Sequence, residues 1–278
     1  MLNFNGTLVS DIENIISSDN RAFKYGDSLF ETLKISNNRI IFWEDHYFRL
    51  MASMRMLRMK IPMNFTLENL EQEILKTIPT DSNTTLFRAR LSVFRKDGGF
   101  YTPETNTIDY LVEVSELIID KKANYRVDLF KDFYNYSGLL STLKTNNKIL
   151  STVASIYAKE NDLDNCILLN ERKGVAEVTN GNIFIVHGNH IKTPAITEGC
   201  LKGVLRKKII EIIEAHTDFT IEETAITPFE IQKADEVFIT NSIIGIQPVT
   251  HYRKKVFTTT TATKLSKSLQ ILEITGKV

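Results

Sequence analysis

Two domains of mixed α+β structure are what this sequence predicts, on three observations. Apolar residues recur with the period of two that marks strands and the period of 3.6 that marks helices, and both periods occur in each half of the chain. The 278 residues suffice for one large or two small domains, at roughly 150 residues per domain. Hydrophobic residues make up 42% of the chain and 34 Lys+Arg balance 34 Asp+Glu, a composition that builds cores rather than disordered tails.

The elements follow in order. Residues 39–42 read as a strand, after which Asp45 is expected to cap a helix whose apolar stripe is Tyr47, Met51, Met54 and Leu57. Thr66 to Ile78 forms a second amphipathic helix with Leu67, Leu70, Ile74 and Ile78 on one face. Residues 85–94 alternate, with Phe87, Ala89, Leu91 and Val93 facing one way and Arg88, Arg90 and Ser92 the other. Ile108, Tyr110, Val112 and Val114 repeat that pattern. Together these make an N-terminal α/β domain over residues 1–118, and the charged stretch ELIIDKKANY at 116–125 marks its end. In the second domain, residues 119–278, a strand at 126–131 precedes a helix from about 145 to 160. Strands follow at 165–170, 175–178 and 182–186. A helix opens near Gly203, with Val204, Leu205, Ile209, Ile212 and Ile213 apolar, and another strand lies at 235–240. A threonine-rich run from Thr258 to Thr263 leads into a C-terminal amphipathic pattern carried by Leu265, Leu269 and Leu272.

Several functional classes are excluded as expectations. No run of about 18 apolar residues is present to cross a membrane, and the opening MLNFNGTLVSDIE lacks the basic segment and apolar stretch of a secretory leader. Zero formal net charge is unlike the basic face of a nucleic-acid binder. Cys166 and Cys200 form neither a disulfide framework nor a metal-ligand spacing, so a reducing, cytoplasmic setting is expected. There is no P-loop, no dinucleotide-binding glycine fingerprint, no nucleophile elbow and no His pair for zinc. His46, His187, His190, His216 and His251 are scattered.

A lone lysine is ordinarily solvated. Lys144, in LLSTLKTNNKIL near the start of a predicted helix, stands out through the segments around it. VAEVTNGNIF, GCLKGVLR and FITNSIIGIQPV follow it, and NRAFKYGDSLFETLK and EDHYFRL precede it. These segments resemble the class IV aminotransferases, the fold type IV family that uses pyridoxal 5'-phosphate (PLP). They occur in the family's order and spacing from Asn20 to about Val249.

The resemblance implies a role for each matching residue. Lys144, with Leu143 before it, aligns with the lysine that forms the Schiff base with PLP, acting as tether first and proton shuttle afterwards; Lys148 is its rival on the same predicted helix. Glu177 matches the acid that keeps the pyridine nitrogen protonated and the ring an electron sink. Asn182, Ile183 and Phe184 follow it in the family's arrangement, with Asn182 as structural support. Arg49 is the phosphate arginine. Gly203, Val204 and Leu205 would offer backbone N–H groups at a helix start. The family's threonine hydroxyl is missing at Leu205. Ser242 matches a phosphate-contacting hydroxyl residue, and Leu201 an apolar position against the ring.

The substrate side resembles two branches. In SLFETLK, Phe30, Thr32 and Lys34 share a face, which in the family looks toward the substrate. Branched-chain aminotransferases carry Gly then Arg at the last two of these positions, and the lyases carry Thr then Arg. Thr32 therefore leans to the lyases, while Lys34 matches neither. Tyr25 begins the YGDS stretch. VFRKDGGFYTP resembles a lyase stretch through Arg95, Gly98, Gly99 and Tyr101, with Phe100 in place of a second arginine. Ile149 stands where branched-chain aminotransferases have a tyrosine. The substrate carboxylate is left to Tyr25, Lys34 or Arg95.

What the resemblance implies is a PLP fold type IV enzyme with the cofactor in the interdomain cleft, working as a homodimer on a small amino substrate. The first reading is 4-amino-4-deoxychorismate lyase, which eliminates pyruvate to give 4-aminobenzoate for folate biosynthesis. The alternative is an amino-acid aminotransferase of branched-chain or D-amino-acid type. A non-catalytic PLP-fold protein carries less weight against an intact Lys144, Glu177 and Arg49.

Overall fold

The computed structural model describes residues 1–10, 16–215 and 218–276, which leaves His216 outside the described residues. The chain forms two compact units: Met1–Ile119 with Lys144–Asn147, and Asp120–Leu143 with Lys148–Val278. A single cut between 118 and 119 assigns the segment 144–147 to the other unit. The difference lies in backbone pairing, because this segment adds to a strand of the first unit.

The first unit is a six-stranded sheet with helices. Its strands are β1 (Leu2–Phe4), β2 (Thr7–Val9), β3 (Ser28–Ser36), β4 (Arg39–Ile40), β5 (Leu86–Arg95) and β6 (Ile108–Glu116), in the order β2-β1-β6-β5-β3-β4. Two tight hairpins are built from residues that accept positive φ: Asn5-Gly6 joins β1 to β2, and Asn37-Asn38 joins β3 to β4. β3 and β5 pair antiparallel with Thr32 opposite Arg90 and Phe30 opposite Ser92. That register fixes two faces. Leu29, Leu33, Ile35, Phe87, Ala89, Leu91 and Val93 share the buried one. The helices are α1 (Arg21–Tyr25), α2 (Trp43–Met56) and α3 (Leu67–Leu75).

Three boundaries differ from the sequence expectations. The strand expected over 39–42 stops at Ile40. α2 then starts at Trp43, so Asp45 is not its cap but lies in its first turn, where a carboxylate favours the helix dipole. Phe42 takes the capping position at φ 54 without a side-chain bond, and the buried stripe is Trp43, His46, Leu50, Met51, Ser53 and Met54. α3 is capped by Thr66, which accepts the Asn69 N–H at 3.2 Å, and ends three residues before Ile78.

The second unit packs two five-stranded sheets over one core. One holds β7 (Arg126–Asn135), β8 (Asn165–Asn170), β9 (Val175–Val178), β15 (His251–Tyr252) and β16 (Lys255–Val256). The other holds β10 (Asn182–His187), β11 (His190–Pro194), β12 (Thr220–Thr224), β13 (Glu236–Asn241) and β14 (Gly245–Val249). Ile167, Leu169, Val175 and Val178 from the first meet Ile183, Ile185, Val237 and Ile239 from the second. α4 (Ile149–Glu160) lays Ala154 and Ala158 against Phe130, Cys166 and Leu168. α5 (Val204–Ala215) and α7 (Thr260–Thr275) cover the other face of the second sheet, and α6 (Pro228–Lys233) is a short capped turn. On the covered face Phe184 and Phe238 stack at 4.8 Å. No helix among the described residues is long and apolar enough to cross a membrane.

Candidate active site

Lys144 does not start a helix. α4 begins at Ile149 with Lys148 as its capping residue. Lys144 lies instead on an extended segment beside β3: its carbonyl accepts the Phe30 N–H at 2.9 Å, Thr145 bridges Leu29, and the Asn146 N–H reaches Ser28 O at 3.2 Å. Asn146 Oδ1 also takes Arg90 Nη2 at 2.9 Å. The Lys144 ammonium sits 4.4 Å from the Phe30 ring centroid, with the Arg90 guanidinium 3.8 Å from the same centroid. Pairing the backbone on either side of Lys144 to a strand fixes where its amine starts from, as a covalent tether requires.

On the opposite face of β3, Glu31 collects two groups from α2. Its Oε1 accepts Arg49 Nε at 2.8 Å, and its Oε2 accepts Arg49 Nη2 and, at 2.7 Å, His46 Nδ1. Burial would raise the Glu31 carboxyl, but the Arg49 charge and the hydrogen bonds from His46 and Arg49 override it and hold it down at about 2. Burial pushes the His46 imidazole below its ordinary value, against the pull of Glu31. Arg49 is thus present, mostly buried, and held as an oriented cation.

The expected substrate residues fall into three places. Phe30, Thr32 and Lys34 share the face of β3 opposite Glu31, and the register sets Ser92, Arg90 and Arg88 beside them. Phe30 and Lys34 are buried and Thr32 is partly so. Tyr25 ends α1, its ring 5.7 Å from that of Tyr101. Tyr101 is 91% exposed on a loop tied down by Arg21, which donates to the carbonyls of Gly98 at 3.0 Å and Phe100 at 2.6 Å.

Arg95 stands apart from these residues. It lies on the other face of β5 from Arg90, 6% exposed, and donates to Asp27 Oδ2 at 2.9 Å, Asn106 Oδ1 at 2.5 Å and Leu57 O at 2.7 Å. A guanidinium so engaged braces the fold, its donors taken by acceptors of the chain itself. Arg90, like Arg88, is on the face with Thr32; it stands directly opposite Thr32 and is absent from the residues expected at the substrate. Its signal was the alternation of β5, which separates Arg90 from Arg95.

In the second unit Glu177 stands on β9 and its Oε2 accepts the Leu201 N–H at 2.9 Å. Asn182 donates Nδ2 to Leu201 O at 2.9 Å, so both sides of the Leu201 peptide are pinned. Gly203 immediately precedes α5; a Cβ there would lie 2.0 Å from Asn182 Oδ1, so any larger residue would force the Asn182 side chain to shift. Val204 and Leu205 are buried in the first turn of α5, whose N–H groups have no partner within the helix. Ser242 opens the turn between β13 and β14, where Asn241 Oδ1 accepts the N–H groups of Ile243 at 3.1 Å and Ile244 at 2.9 Å. Thr240 lies opposite Asn182 on the same sheet face, and its buried hydroxyl has no hydrogen-bond partner among the described residues.

The donor chemistry suits a phosphorylated pyridine aldehyde. There is a primary amine for the aldehyde, a carboxylate held by a backbone N–H for the ring nitrogen, and an arginine. A helix start with an unsatisfied hydroxyl on the sheet face beside it suits an anion.

Comparison with known proteins places this chemistry in a family. The chain is 24% identical over 235 residues to an aminodeoxychorismate lyase of Vibrio harveyi, covering 82% of this chain and 84% of that one. The fold matches the crystal structure of a branched-chain aminotransferase of the archaeon Thermoproteus uzoniensis with norvaline, at a TM-score of 0.90 and 20% identity over 98% of this chain and 94% of the other. It also matches a branched-chain amino acid aminotransferase of Thermobaculum terrenum in its PLP form, at a TM-score of 0.85 and 20% identity over 98% and 93%. The family model described as Amino-transferase class IV matches residues 28–252, a span that contains Glu31, Arg49, Lys144, Glu177 and the start of α5. The chain therefore belongs to the class IV aminotransferases and is an enzyme with that family's α+β fold.

Proposed function

We propose that the chain is a PLP-dependent 4-amino-4-deoxychorismate lyase. The observation that carries this reading is the face of β3 and β5, on which Lys34, Arg88 and Arg90 surround Thr32. A substrate with two carboxylates suits such a face. The apolar side chain of a branched-chain amino acid would offer no charge to these cations. PLP, when bound, supplies an electron sink for a carbanion next to a captured amine. Lys144 Nζ would hold the cofactor and then take the proton from the substrate ring as pyruvate leaves. Glu177 would keep a proton on the pyridine nitrogen. Arg49, Ser242 and the N–H groups of Val204 and Leu205 after Gly203 would hold the phosphate, and Leu201 would lie against the ring. Phe30, Tyr25 and Tyr101 would border the substrate. The free, buried Cys166 and Cys200 fit a reducing cytoplasm, and 4-aminobenzoate would serve folate synthesis. The working form is taken as a homodimer.

The test begins with purified protein and PLP. Borohydride should fix the cofactor on Lys144, and a label on Lys148 or no label removes the cofactor reading. Pyruvate should then appear from aminodeoxychorismate. Amino-group exchange between L-valine or D-alanine and 2-oxoglutarate, with no pyruvate released, selects the aminotransferase alternative. Sedimentation of an active monomer would contradict the homodimer.

A further inference from the structure

We propose that Glu31, assisted by His46, is a positioning residue that orients the Arg49 guanidinium for the cofactor phosphate. The proposal rests on the PLP reading above. Glu31 sits at 1% exposure on the apolar face of β3, between Leu29 and Leu33. An ionised carboxylate there is costly unless it is paired and its oxygens are filled. Both oxygens are filled, and from one helix only. His46 and Arg49 are three residues apart on α2, which puts them on the same face of the helix. The contacts to Arg49 run to its Nε and one Nη, the fork that fixes a guanidinium in a plane. His46 Nδ1 closes the second oxygen at 2.7 Å, which stops the carboxylate from rotating away.

The consequence concerns entropy. A long arginine side chain has rotamer freedom to lose on gripping an anion. Glu31 removes that freedom before any anion arrives, so the guanidinium meets the phosphate already in place. A Glu31 that served only as counter-charge for a buried arginine would act otherwise. Its loss would loosen the unit and weaken every ligand alike.

The two roles separate by comparing PLP with pyridoxal, which has the same ring and aldehyde but no phosphate. Full-length apoprotein is titrated with each and followed by absorbance. Glu31→Gln is expected to weaken PLP at least about tenfold and pyridoxal less than about twofold. In an Arg49→Met background Glu31→Gln should add nothing further, since the two act as one unit. Should Glu31→Gln not fold, His46→Gln takes its place and is expected to show the same selective loss in smaller measure. Equal losses for the two ligands, or PLP affinity unchanged in a folded variant, overturn the positioning role. Wild-type protein that takes up neither ligand overturns the cofactor reading underneath it.

Discussion

At the scale of single residues, two arginines of one strand stand in different surroundings, and the proposed function gives them different roles. Arg95 and Arg90 both lie on β5, yet they stand on opposite faces of the sheet. Arg95 and Arg21 both donate to Asp27 Oδ2 at 2.9 Å, so two buried guanidiniums share one carboxylate. Arg95→Met removes one cation and leaves two backbone carbonyls and Asn106 without their donor, at a cost of about 3 kcal/mol. Urea unfolding should register that loss. Arg90→Met should change stability by less than about 1 kcal/mol and raise the KM for a dianionic substrate about tenfold. The reverse pattern, with Arg95→Met stable and catalytically impaired, would return the carboxylate to Arg95. The alternation of β5 was legible in the sequence and already set Arg90 apart from Arg95. What alternation does not contain is the partner strand's register, and the pairing of Thr32 with Arg90 is what sets Arg90 beside Thr32.

At the scale of elements, the helices show which signals are local. α5 begins one residue after Gly203, where the apolar pattern and the glycine both pointed, because the periodicity and the close approach are written in adjacent residues. The segment holding Lys144 read as a helix and is extended, because its partner Leu29 lies far away in sequence. α7 is a third case. Its capping residue, Thr259, makes no side-chain bond to the helix. The carboxylate of Glu236 on β13 does that work instead, accepting the Thr261 N–H at 2.8 and 2.9 Å and the Ala262 N–H at 3.1 Å. A negative group at a helix start answers both the open N–H groups and the dipole. No inspection of the threonine-rich run could reveal a cap donated from a separate strand. Glu236→Gln keeps the shape but removes the charge and one acceptor oxygen, and is expected to cost about 1–2 kcal/mol. Thermal unfolding of the variant with unchanged helix content at 25 °C checks this; an unshifted midpoint would mean that the cap contributes nothing.

At the scale of the whole molecule, charge balance and acid stability come from different residues. The 34 basic and 34 acidic side chains cancel over the sequence, and exposed pairs add little to stability. The buried ionisable pair Glu31 and His46 couples folding to pH, and both act in the same direction. His46 is held below its ordinary 6.5 in the folded protein, so as pH falls below 6.5 the unfolded chain takes up a proton that the folded chain resists. Glu31 is held at about 2 against an ordinary 4.5. Its contribution, about 3 kcal/mol by that difference, is fully present above pH 4.5 and is lost as pH falls through 2. Stability should therefore decline in two stages, a first below pH 6.5 and a second between pH 4.5 and 2. His46→Gln should flatten the first stage. Glu31→Gln should lower stability at neutral pH and lose the second stage, so that its gap to wild type narrows as pH falls from 4.5 toward 2. Urea midpoints measured from pH 8 to pH 2.5 give both curves. A gap that stays constant across that range would show that the Glu31 carboxylate is not what the folded protein protects, and would also remove the charged anchor on which Arg49 is held.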